Sequence, residues 1–176
     1  MKTKFAQFLP LLLLSLLISG CATTYKPGAP VPKLTEIPDF PAGVSISLIN
    51  AQPAVEKVEI SQPGTGYTVY AILHDWTDQA IRALDRTLKK KGVAVAAGSR
   101  KSLKIAITKV TLSTAASGWS FRCTVVFTID TGDGQPFTLG ADDTSWKWYN
   151  ACNGGIQKLV LVALHDERVL KALASP

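Results

Sequence analysis

The sequence predicts an α+β fold: a two-layer domain with a mostly antiparallel sheet of about four to five strands and two helices on one face. Three observations predict it. Residues 75–91 carry an apolar residue every third or fourth position and stop at Gly92, the pattern of an amphipathic helix. Residues 103–112, 119–129 and 137–148 alternate apolar and polar and are separated by glycine-bearing turns at 115–118 and 131–134, the pattern of an antiparallel meander. A second, strongly apolar helical stretch runs from Asn150 or Asn153 to about Ala172.

Each element has its own signal. Val44, Ile46 and Leu48 share one face of a first strand over 43–49, which residues 55–60 extend or pair with. Gln62-Pro-Gly-Thr-Gly66 then breaks the chain before a short apolar stretch, 67–73. In the first helix Asp75 or Thr77 is the expected N-cap, and Trp76, Ala80, Leu84 and Leu88 form the stripe, with Ile81 beside it. Asp78/Arg82 and Asp85/Lys89 are spaced as i,i+4 pairs with the acid first. Lys89, Lys90 and Lys91 close the helix and Gly92 ends it, so these cations offset the helix dipole.

A short strand, 93–97, follows. In the first meander strand Leu103, Ile105 and Ile107 change phase to Val110 and Leu112, which predicts a bulge at Thr108 or Lys109. In the second, Trp119, Phe121, Cys123, Val125, Phe127 and Ile129 fall on one face, turned to the core. Ile156, Leu159, Val160, Ala163, Leu170 and Leu173 trace the buried side of the last helix.

Ahead of this single domain, 44–176, stand two segments of different character. Residues 1–20 read as a leader: Lys2 and Lys4, then an apolar run over 8–18, 11 residues long. That suits a signal-peptide core and falls short of the ~20 residues of a membrane-spanning helix. Residues 21–43 hold Pro27, Pro30, Pro32, Pro38 and Pro41, half of the ten prolines. At about 3.1 Å per residue such a tether reaches roughly 60 Å.

Ile18-Ser19-Gly20-Cys21 resembles the lipobox of bacterial lipoproteins: a branched apolar residue, two small residues, then cysteine. The resemblance implies that the Cys21 thiol is diacylated, that residues 1–20 are cleaved off, and that the new amino terminus receives a further chain such as palmitate. Ala22, where an aspartate would favour the inner membrane in that family, implies the outer membrane, facing the periplasm. An ordinary secretory leader followed by a cysteine is the plain alternative.

Lys2 and Lys4 leave with the leader, so the net charge drops from +6 to +4. A mildly basic exported chain excludes nucleic acid as the expected partner. In an oxidising compartment Cys123 and Cys152 read as one disulfide. It pins the start of the last helix to the central strand, and Gly154 and Gly155 are tolerated there for close approach to the sheet.

Catalytic and metal readings find little to build on. His74 and His165, each followed by Asp, are the only two histidines, too few for a metal phosphohydrolase, and read as the start of one helix and a kink in another. Asp130-Thr-Gly-Asp-Gly134 places a glycine where a calcium loop needs an oxygen ligand, so it reads as a hairpin turn. Asp142 and Asp143, adjacent on a strand, point to opposite faces. No G-x-S-x-G elbow or P-loop is present. The sequence therefore predicts no enzyme, no cofactor and no metal.

The candidate partner surface is Trp146 and Trp148, which share one face if 137–148 is all strand, together with Lys89, Lys90 and Lys91. Outward, the tryptophans anchor a protein, glycan or lipid; inward, they are core beneath the last helix, the favoured placement.

Strand, capped helix "WTDQAIRALDRTLKKKG", meander and the ending "IQKLVLVALHDERVLKAL" resemble, as a pattern over 44–173, the YajG-type outer-membrane lipoproteins and, more loosely, the amino-terminal domain of the periplasmic protein TolB. That resemblance implies non-enzymatic binding or assembly in the cell envelope, with an envelope protein or lipid-glycan as partner. The alternatives are a lipid or lipopolysaccharide carrier with an apolar groove between sheet and helices, and a cell-wall hydrolase.

Overall fold

A computed structural model describes residues 22–28 and 30–174. The expected cleavage and acylation at residues 1–21 lie outside them. The fold is α+β, as predicted, with a mixed five-stranded sheet, a mixed three-stranded sheet and helices packed on one face of the larger one.

The strands are β1 (Ala22–Thr24), β2 (Ser45–Asn50), β3 (Lys57–Glu59), β4 (Thr68–Ile72), β5 (Ala94–Val95), β6 (Ser102–Thr114), β7 (Phe121–Asp130) and β8 (Phe137–Ser145). The helices are α1 (Leu73–Lys90), α2 (Trp148–His165) and α3 (Glu167–Ala174). In the large sheet the order is β5-β2-β6-β7-β8, and in the small one β1-β4-β3. The meander β6-β7-β8 is antiparallel as expected, while β2 runs parallel to both its neighbours. A parallel β2–β6 pair requires a crossover, and β3, β4 and α1 supply it.

The predicted bulge falls between Ile107 and Lys109. Thr108 and Lys109 are both exposed, and the phase change keeps Leu103, Ile105, Ile107, Val110 and Leu112 all buried. The neighbouring strand runs out here: β2 stops at Asn50, opposite Ile105, and Ser61 resumes the pairing only at Leu112. Between them the backbone of Ile107 has no strand partner on that side. Its N–H donates to Thr77 Oγ1 at 2.9 Å and its carbonyl accepts from Gln52 Nε2. Buried backbone groups must be paired, which explains why α1 buries a threonine.

That same threonine corrects the expected start of α1. The helix begins at Leu73, directly off the end of β4, with no side-chain cap. Thr77 instead donates to Leu73 O, and the freed His74 N–H donates to Ala54 O. Its C-terminus follows expectation: Gly92 N–H bonds Lys89 O and Val93 N–H bonds Leu88 O, with Gly92 at φ 80°. This is a Schellman turn, with Val93 packed in the core alongside Leu88. Asp85 and Lys89 pair at 2.8 Å. Asp78 does not pair with Arg82; it accepts from Asn50 Nδ2 at 2.6 Å, tying α1 to the end of β2.

Both ends of the meander differ from the sequence reading. β7 starts at Phe121, so Trp119 lies in the preceding turn and is 90% exposed, not core. β8 stops at Ser145, so Trp146 and Trp148 do not share a strand face. The last helical stretch is two helices: α2 ends at His165, and Asp166 breaks the chain and opens α3.

The larger correction concerns residues 22–43. They do not stand off the domain as a tether. Ala22–Thr24 adds a parallel strand to β4, and the prolines after it carry the chain as a strap across the helices. Gly28 N–H donates to Asn153 Oδ1 at 2.8 Å, Gln157 Nε2 donates to Val31 O at 3.1 Å, and Ile37 is buried in the core. Asp39 meets Lys91 at 2.8 Å. Proline favours extended backbone whether free or docked, so composition alone does not separate a spacer from a strap.

Candidate interaction surface at the aromatic end

The sheet and helices have two ends of opposite character. At one, β4 begins, β6 turns into β7, and β8 turns into α2. The register aligns them: Thr114 opposes Phe121, which opposes Ser145. Tyr67, just ahead of β4, meets Phe121 edge-on at 5.7 Å and Trp148 at 6.4 Å. Ala22 partners Thr68, so β1 begins at this same end.

Behind these rings, the strap docks. Tyr25 sits edge-on to Trp76 at 5.9 Å and to Trp148 at 4.8 Å. Its carbonyl accepts from the Trp76 indole at 3.0 Å and its hydroxyl donates to Asn153 Oδ1 at 2.8 Å. Burial pushes the Tyr25 phenol up to about 12, so it stays protonated and a donor. Sequence reasoning missed Tyr25, Tyr67 and Asn153. A signal existed: Asn153 and Gln157 stand four apart, a polar stripe on an otherwise apolar helix, where strap backbone can bond.

Beside Asn153, Cys152 is bonded to Cys123 of β7, with Cα atoms 4.9 Å apart, as the sequence predicted. The glycines that follow explain how α2 lies so close. A Cβ on Gly155 would stand 3.1 Å from Cys123 O, and one on Gly154 would overlap the Asp143 carboxylate. Asp143 pairs with Lys158 of α2 at 2.7 Å, whereas Asp142, on the other sheet face, pairs with Arg122 at 3.4 Å.

The predicted partner residues are not brought together. Trp146 is 77% exposed at the aromatic end, and Trp148 is half-buried against Tyr25, so the pair splits between the two alternatives. Lys89, Lys90 and Lys91 lie at the other end, where α1 stops, β6 begins and β7 ends. The 13 residues of β6 put roughly 40 Å between the two ends. Lys89 and Lys91 are engaged by Asp85 and Asp39; Lys90 is exposed.

The remaining chemistry-bearing residues serve local structure. His74 Nδ1 lies 2.8 Å from Gln52 O, and His165 Nδ1 lies 2.9 Å from Leu161 O. Asp130 accepts from Gly132 N–H and from Lys104, bonds that hold its carboxyl below the usual range, as in a hairpin turn. Among the described residues no three His, Cys, Asp or Glu side chains converge as a metal site, and no helix is long and apolar enough to cross a membrane. Between sheet and helices, where a carrier's groove would run, Trp76, Ile107, Leu112, Ile156 and Leu159 fill the space at full burial. The surface depression along Gln79, Arg82, Asp85 and Arg86 is open and polar.

No family model matches the chain, and no curated protein does. Among solved structures it is similar to the Thermus thermophilus Protein Y N-terminal domain, at 14% identity over 66% of this chain and 88% of that one. The TM-score is 0.26, too low to carry an argument about fold or function.

Proposed function

We propose that this chain is a lipid-anchored protein of the bacterial envelope, tied by Cys21 to the periplasmic face of the outer membrane. Its domain acts there as a non-enzymatic binding or assembly module for an envelope protein or a lipid-glycan. The observation that carries the reading is Lys2 and Lys4, a short apolar run and Ile18-Ser19-Gly20-Cys21 in register. Two or more acyl chains hold a protein firmly on a bilayer where one holds it only marginally. The Cys123–Cys152 bond supports export, because such bonds persist in oxidising compartments.

The test is crosslinking in intact cells, wild type beside Cys21→Ala, followed by membrane fractionation and identification of what is captured. Wild type in the membrane fraction with a reproducible envelope partner, and Cys21→Ala released or left as uncleaved precursor, is the expected result. Identical fractionation of the two forms, with both cleaved to the same mature chain, would sink the anchor. Turnover of a cell-wall substrate by the purified protein would sink the non-enzymatic role.

A further inference from the structure

We propose that the aromatic end of the domain lies on the bilayer itself, with Trp119 and Trp146 seated at the lipid–water interface on either side of the anchor. The inference rests on the lipid-anchor reading and adds to it the orientation of the domain and the identity of one surface it contacts.

Position is the first argument. The Cα of Cys21 is within about 3.8 Å of that of Ala22 by covalent geometry, and Ala22 is held as the partner of Thr68 in β1–β4. The strap leaves no slack: Tyr25, Gly28 and Val31 are bonded to the helices. Acyl chains on Cys21 therefore enter the bilayer beside Tyr67. Tyr67 touches Phe121 and Trp148, and each tryptophan of the proposal stands two residues before one of those rings.

Chemistry is the second. Trp119 is 90% exposed and Trp146 77%, far more than a soluble fold needs of its largest apolar side chain. Indole joins an apolar body to an N–H donor, which is why tryptophan concentrates at headgroup level. The loops at this end, 62–67, 115–120 and 145–149, contain no Asp or Glu and one charge, Lys147. A lysine there can extend its stem along apolar surface and offer its ammonium to a phosphate. The other end carries Lys89, Lys90, Lys91, Arg100, Asp130 and Asp133, as expected of the end that faces water.

Presentation is the third. The turn bearing Trp119 is closed by Ala115 N–H to Ser120 O at 2.8 Å and Gly118 N–H to Ala115 O at 2.9 Å, with Gly118 at φ 72°. Trp146 is fixed between β8 and α2. Both are held by secondary structure on each side, so little ordering entropy remains to be lost on contact.

The experiment uses the full acylated protein in phosphatidylcholine vesicles, with phosphatidylcholine brominated near the headgroup end of its chains as quencher and iodide as the aqueous one. Two of the four tryptophans face lipid in this arrangement, so roughly half of the emission should be quenched by bromolipid and shielded from iodide. Trp119→Phe with Trp146→Phe should abolish the lipid-quenched part; both residues are exposed, so the fold survives the change. An acylated protein whose emission ignores bromolipid and remains open to iodide would overturn the proposal while leaving the anchor standing. Shielding from iodide without bromolipid quenching would also overturn it, assigning the face to a protein. If mass analysis finds no acyl chain, the anchor reading falls. Vesicles added to the same protein then decide the face alone, quenching supporting it and no quenching overturning it.

Discussion

The hydroxyl of Tyr25 donates to Oδ1 of Asn153 at 2.8 Å, joining residues 128 positions apart where the incoming chain meets the last helix. The same oxygen accepts the Gly28 N–H. Asn153→Ala removes both bonds at once, and each such bond is worth about 1 kcal/mol. The expected result is a fall of about 2 kcal/mol in unfolding free energy, with faster proteolysis between residues 25 and 37. An unchanged cleavage pattern would mean that the strap does not depend on Asn153.

The Cys123–Cys152 bond closes a loop 29 residues long in sequence separation, for which the chain-entropy model gives roughly 3–4 kcal/mol. In a domain of this size each kcal/mol moves the melting temperature by about 2–4 °C. Cys152→Ser, or reduction, should lower Tm by about 10 °C while membrane association is unaffected. Titration of the unfolded, non-reduced mature protein should find no free thiol at these two positions; two reactive thiols would contradict the bond.

Asp166 is the N-cap of α3: its Oδ1 accepts the Arg168 N–H at 2.9 Å, and Oδ2 accepts from the guanidinium at 2.6 Å. Bonding to Arg168, whose guanidinium also lies 3.5 Å above the Phe137 ring, holds the carboxyl below its ordinary value. A lowered folded pKa contributes stability above the unfolded value, ~3.9, that is lost as pH falls through the folded one. Asp166→Ala should therefore cost about 1 kcal/mol at neutral pH. The gap from wild type should narrow below about pH 4. Chemical denaturation across that range checks it, and a gap constant with pH would count against the charge.

Lys89 and Lys90 end α1, where such charges are worth about 0.3–1 kcal/mol each through the helix dipole. They also sit at the end of the domain away from Ala22. Reversing both to Glu should change association with anionic vesicles by less than about tenfold, or ~1.4 kcal/mol. A larger loss with the fold intact would move the binding surface to the lysine end.

The elements of the fold were legible because most rest on local signals. The stripe of α1, the Schellman stop at Gly92, the bulge after Ile107 and the Cys123–Cys152 pairing are all written in spacing. Ends were less legible. Trp119 and Trp146 fit the alternation of β7 and β8, but pairing stops at Phe121 and Ser145 because the partner strands turn away there. The strap was hardly legible, since its side-chain hydrogen bonds are with residues from 51 to 128 positions distant and the polar pair Asn153 and Gln157 is its one local trace. The aromatic surface inherits that difficulty, being assembled from Ala22, Tyr67, Trp119 and Trp146, which only the register of three strand pairings brings to one end.

The central claim is the anchor, and the mass of the amino-terminal peptide of the mature protein, isolated from membranes, tests it most directly. The account predicts a peptide that begins at Cys21 and carries a diacylglyceryl group on the thiol with a further acyl chain on the amino terminus. A mature chain that begins elsewhere, or a Cys21 with no lipid on it, would contradict it.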